Sequence, residues 1–242
     1  MFSFKKILPG FLIFIMVSTI GFAGDLANFH NKLDEAYAPY RMSLSLTNKK
    51  NKQEAAIKAM NAFTKKWAAL SSTYLNNPPA PYNESPLWNS TITKTSEVMK
   101  EGLTLVKAGK LKAGHKTIEA IRGMLGKLRK SVGIRNFSDY VNIYHTEMEH
   151  LVKVKYSKQN LNADTIIKLR EKVAVLRFLM NETKAAAPKK YSENATFQKF
   201  LNGNIKLLQL LHQSLEKGEK NKVLAILPKI KPAYGKLFIK FG

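Results

Sequence analysis

The chain has 242 residues, of which 45% are hydrophobic and 24% charged, a composition that excludes disorder and collagen-like repeats and leaves room for one or two domains. It contains no cysteine, which excludes disulfide staples, Cys-ligated zinc, iron–sulfur clusters, c-type haem attachment and a cysteine nucleophile. Lys and Arg number 40 against 17 Asp and Glu, a formal charge of +23 that points to anionic surroundings.

Residues 1–23 read as a secretory signal peptide. Lys5 and Lys6 make a basic start, Ile7 to Ile20 form an apolar stretch, and Gly21-Phe22-Ala23 places small residues where a signal peptidase reads. A retained anchor is the competing reading, but the apolar run is short against the roughly 20 residues a spanning helix needs. With no later stretch apolar enough to span a bilayer, the mature chain is expected to be soluble and periplasmic or secreted, not transmembrane. Loss of Lys5 and Lys6 takes the charge from +23 to +21. Asn-x-Ser/Thr sites occur at Asn83, Asn89, Asn136, Asn181 and Asn194, and several of them suit helix starts.

A shift of 109 residues superimposes the second half of the chain on the first. Tyr82 falls on Tyr191, Trp88 on Phe197, Ile92 on Leu201, Val106 on Leu215, Ile118 on Leu227 and Leu128 on Leu237, while Gly109, Gly126 and Gly133 fall on Gly218, Gly235 and Gly242. The pattern predicts an internal duplication, with repeat 1 over 24–133 and repeat 2 over 134–242. In chain order, a first helix is expected from Asp25 to Leu46. A second runs from Gln53 to Thr73, with Ala56, Met60, Phe63, Trp67 and Leu70 on one face. After the stiff Asn76–Pro81 connection, Ser85-Pro86 suits the start of a third helix, which ends near Gly109. A fourth ends near Gly133, and both glycines suit a left-handed closing residue. Repeat 2 copies the plan over Phe137–Tyr156, Asp164–Ala186, Ala195–Lys217 and Glu219–Phe241, with Asn194 as a cap. The expectation is all-α: two tandem up-and-down four-helix bundles, eight helices in total.

Pro78-Pro79, Ser85-Pro86 and the stretch Gly102-Leu-Thr-Leu-Val-Lys-Ala-Gly109-Lys-Leu-Lys-Ala113 resemble cytochrome b-562, a family of periplasmic four-helix haem proteins. Repeat 2 has a similar turn at Glu216-Lys-Gly218-Glu-Lys220 and an Ala233-Tyr234 dipeptide like the one before that family's haem histidine. The resemblance covers about the last half of each repeat and implies the bundle and the compartment. It does not carry the haem with it: the histidine position holds Gly235, and Gly126 in repeat 1, while His30 stands near the place of the family's methionine ligand. The fold can persist without the haem, because function resides in the site.

The most unusual polar group spans the repeat junction. His115 and Glu119 share one face of the fourth helix, and His145 and Glu149 one face of the fifth, with Met148 and His150 beside them. If these helices fold back on each other near Gly133–Asn136, residues level with one another have numbers summing to about 265–269, because each residue rises about 1.5 Å. His115, Glu119, His145 and Glu149 then converge. Two imidazoles and two carboxylates suit a transition metal ion such as zinc, copper or iron, with Met148 and His150 as optional ligands. The alternative at this point is a satisfied polar network in which Arg122 and a histidine pair with the two glutamates. Gly109-Lys-Leu-Lys-Ala-Gly114 lacks the residues of a phosphate loop, and no triad or acid–base pair has catalytic spacing, so no enzyme activity is expected.

The lysine clusters at Lys49–Lys52, Lys127–Lys130, Lys189-Lys190 and Lys217–Lys222 create a field that attracts an anionic envelope surface or an acidic protein. Nucleic acid is not expected as a partner, because aromatics are not interleaved with the lysines. Three functions remain open at the level of sequence. The first is an exported, non-enzymatic metal-binding bundle. The second is a metal-free basic envelope adaptor or chaperone-like binder, and the third a residual haem electron carrier.

Overall fold

The computed structural model describes residues 20–242, with side chains from Asp25 onward. The export signal expected over residues 1–23 lies outside the described residues, apart from the backbone of Ile20–Ala23. The fold is all-α, with no strand among the described residues. The helices are α1 (Ile20–Thr47), α2 (Gln53–Tyr74), α3 (Trp88–Lys107), α4 (Leu111–Ser131), α5 (Phe137–Val152), α6 (Ala163–Ala185), the single turn α7 (Lys189–Ser192), α8 (Ala195–Glu216) and α9 (Lys220–Phe241). A 3₁₀ turn, Tyr82–Glu84, stands between α2 and α3.

Two sets of four helices each close a ring. In the first, α1 packs on α2, α2 on α3, α3 on α4 and α4 back on α1. In the second, α5 packs on α6, α6 on α8, α8 on α9 and α9 back on α5. Contacts between α1 and α9 join the rings. Some helix ends recur at the 109-residue shift: the first residues of α4 and α9, Leu111 and Lys220, are 109 apart, as are the last residues of α3 and α8, Lys107 and Glu216. Burial repeats with it. Leu125, Leu128 and Arg129 are buried around half-buried Gly126, and Tyr234, Leu237 and Phe238 are buried in the same order around Gly235.

Local chemistry accounts for most boundaries. Gly109, Gly133 and Gly218 close α3, α4 and α8 at φ of +77°, +72° and +66°, a backbone region that costs side-chain-bearing residues free energy. Asn136 caps α5 in a capping box with Asp139, whose Oδ2 accepts from the Asn136 backbone N–H at 2.9 Å. Asn194 Oδ1 accepts from the backbone N–H groups of Thr196 and Phe197. Asn162 caps α6 through Thr165 N at 2.9 Å.

Some expected boundaries move. Helix α3 begins at Trp88, because Ser85 Oγ accepts from Leu87 N and also meets Ser131 Oγ, so Ser85 shapes a turn ahead of the helix. Helix α5 stops at Val152 instead of Tyr156, where Asn160 ties the following loop to Lys155 O and Ser157 N. The extra turn α7 occupies the place in repeat 2 that the 3₁₀ turn occupies in repeat 1.

Aromatic residues cluster at one end of each ring. Phe29, Tyr82 and Trp88 meet with ring centroids 5.2–5.4 Å apart, and Phe137, Tyr191 and Phe197 at 5.3–5.8 Å. The indole N–H groups are satisfied by backbone carbonyls, Trp67 by Ile92 O and Trp88 by Leu75 O, as burial of these side chains requires. No helix among the described residues is long and apolar enough to cross a membrane.

Candidate functional site

Where the two rings meet, α1, α4, α5 and α9 leave a cleft of about 650 Å³ open to solvent. Helix α4 contributes His115, Glu119 and Arg122; α5 contributes His145, Glu149 and His150. Side-chain contact between α4 and α5 is seen where the chain turns from one helix to the other. The clearest marker is the buried pair Arg129–Asp139, whose bonds of 2.7 and 2.5 Å tie the end of α4 to the start of α5.

Inside the cleft each acid already has a cation. Glu119 is paired with Arg122 one turn along α4. Glu149 Oε1 lies 2.5 Å from Lys231 Nζ of α9 and 3.4 Å from His145 Nε2. Burial would raise the Glu149 carboxyl, but Lys231, His145 and Lys153 outweigh it and hold it below the usual carboxylate range. His115 Nδ1 is bonded to Thr47 Oγ1 at 3.0 Å. The His145 ring rests against Tyr234 at a centroid distance of 5.2 Å. Burial, with Arg122, Lys231 and His115 adding to it, pushes His145 down to about 3. Burial likewise lowers His115. Both imidazoles are therefore neutral at pH 7.

The six residues expected as metal ligands do not form one cluster, and among the described residues no three His, Asp or Glu side chains are grouped to hold a metal ion. Met148 is fully buried. It shares the bundle-facing stripe of α5 with Val141, Tyr144 and Leu151 at three- and four-residue spacing, which turns it away from the cleft. His150 is exposed and pairs with Glu147 at 3.4 Å. The remaining four border the cleft as two ion pairs and two neutral imidazoles, the polar network weighed as the alternative. His30, the residue at the place of the family's methionine ligand, is bonded through Nε2 to Tyr82 OH at 3.0 Å.

Lys231 is absent from the sequence-level site, although the repeat marks it: at the 109-residue shift it is the counterpart of Arg122. The partners correspond too. Tyr40 of α1, the counterpart of Glu149, accepts from Arg122 N at 3.2 Å and donates to Ile118 O at 3.0 Å. The same two positions thus join α1 to α4 through a neutral hydroxyl and α5 to α9 through an ion pair. Lys49 and Lys153 complete the lining, and neither has a carboxylate within 4.0 Å among the described residues. Four cations against two carboxylates leave the cleft basic, and Leu44, Pro232, Phe238 and Ile239 supply an apolar wall.

No protein-family model, curated protein or solved structure matches this chain. The resemblance to cytochrome b-562 rests on the sequence motifs alone.

Proposed function

We propose that this chain is an exported, non-enzymatic binding protein that holds a small organic anion, a carboxylate or phosphate ester with an apolar body, in the cleft between its two repeats. The carrying observation is the charge state of the lining. Glu119 is paired with Arg122 and Glu149 with Lys231, and Lys49 and Lys153 are left over for a ligand. A volume of about 650 Å³ lies within the range of small-molecule sites, in which a few polar groups orient a largely apolar body. The same features weigh against the metal reading, since a cation would have to displace Lys231 from Glu149 and enter a net positive site.

Calorimetric titration with citrate and with phenyl phosphate tests the reading. Saturable binding is expected, at least tenfold weaker in Lys49→Gln plus Lys153→Gln and weakened by salt. If neither anion binds and zinc or copper binds stoichiometrically, with loss on His145→Ala plus Glu149→Ala, the metal reading replaces it. A Soret band on haem titration would instead revive the electron-carrier reading.

A further inference from the structure

A second depression, of about 660 Å³, runs along the seam between α4 and α5, away from the cleft. It shares only Arg122 and Thr146 with the cleft, and its reading does not rest on the cleft's ligand. Its floor is nearly bare of side chains on the α4 side, where Gly123 and Gly126 lie one turn apart. A Cβ at Gly123 would meet no heavy atom within 4 Å, so that position opens directly into the groove. Ile134 and Ile143 supply apolar surface, and Ile143 is 39% exposed.

The rim is cationic. Arg122, Lys127, Lys130 and Arg135 surround the groove, and its one acid, Asp139, is fully engaged by Arg129 and the Asn136 N–H. Lys127 and Lys130 have no carboxylate within 4.0 Å among the described residues. The Arg135 guanidinium lies 3.8 Å over the Tyr140 ring. One wall also carries Asn142 Oδ1, a buried acceptor with no hydrogen-bond partner.

We propose that this groove docks an acidic amphipathic helix of a partner protein. Glycine in place of larger side chains lets a helix approach closely, the two isoleucines meet its apolar face, and the rim meets its carboxylates. From Arg122 to Lys130 the groove follows roughly 12 Å of α4, a little over two helical turns at 1.5 Å per residue. The alternatives fit less well. A bilayer is flat where this surface is concave, and a second copy of a chain with charge +23 would meet like charge.

The test uses a fluorescein-labelled 14-residue Leu/Glu amphipathic peptide, a Leu/Lys counterpart, and fluorescence anisotropy on the full chain. The acidic peptide is expected to bind saturably and the basic one not at all. Gly123→Trp should weaken binding at least tenfold by filling the groove. Its unchanged helix content and melting temperature would show that the fold is intact. Lys127→Glu plus Lys130→Glu should weaken binding at least as much, with citrate binding in the cleft unaltered. Four results would overturn the proposal: no saturable binding of the acidic peptide, equal binding of both peptides, binding indifferent to Gly123→Trp, or self-association that the tryptophan abolishes. Capture by phosphatidylglycerol vesicles without peptide binding would assign the surface to membranes and also overturn it.

Discussion

Arg129 ties the end of α4 to the start of α5 from a buried position. It is 2% exposed, and Asp139 bonds both Nε and Nη2 of its guanidinium. Burial alone would lower the guanidinium pKa, but Asp139 more than compensates and raises it. Removing the acid strands a buried charge and also breaks the capping box of α5. Asp139→Ala is therefore expected to destabilise the fold by about 3–5 kcal/mol, while Arg129→Met plus Asp139→Leu costs less than Asp139→Ala alone. Urea unfolding of the wild type and these two variants measures the difference. The cleft histidines bear on acid stability. The folded pKa of His145 lies near 3, below an unfolded value of about 6.5, so between those limits the unfolded chain binds the extra proton and stability rises with pH. The stabilisation is complete above about pH 6.5 and is lost progressively as the pH falls towards 3. Thermal melts from pH 7 to pH 4 should show a falling Tm, and His145→Gln should flatten the profile.

At the scale of the helix pair, α3 and α4 cross more closely than ordinary side chains permit. A Cβ on Gly102 would stand 2.3 Å from Ile118 Cγ2, and one on Gly114 would stand 2.5 Å from Val106 Cγ2. Gly114→Ala is thus expected to cost about 1–3 kcal/mol through overpacking. Gly123→Ala, on the same helix but facing open groove, should gain about 0.5–1 kcal/mol from helix propensity. Equilibrium denaturation of the two variants side by side checks both signs. Spacing alone does not distinguish these glycines, since both sit inside a helical pattern. What separates them is which neighbour faces each one.

In the whole molecule, the two rings are held by few but specific contacts. Arg41 of α1 is buried and donates to the backbone carbonyls of Ile239, Lys240 and Gly242 at the end of α9. These are carbonyls a helix end leaves without partners of its own. Arg41→Met should therefore loosen the last turn of α9 and the joint between the rings before it affects either core. Hydrogen exchange is expected to rise at residues 239–242 and to stay unchanged in the middle of α6. The joint also frames the cleft, because α1 and α9 supply Leu44 and Lys231 to the same lining as α4 and α5.

Helix identity was legible in the chain because it rests on local periodicity: apolar residues at three- and four-residue steps, with glycines at the turns. The short turn between α4 and α5 was legible too, since Gly133 and the Asn136 cap mark it locally. The ligand set was not. Whether Met148 faces the cleft or the core depends on which side of α5 meets α6 and α9, and the state of Glu149 depends on Lys231, 82 positions later in the chain. Charge balance in a site is a sum over every element that borders it, and only the tertiary structure decides which elements those are.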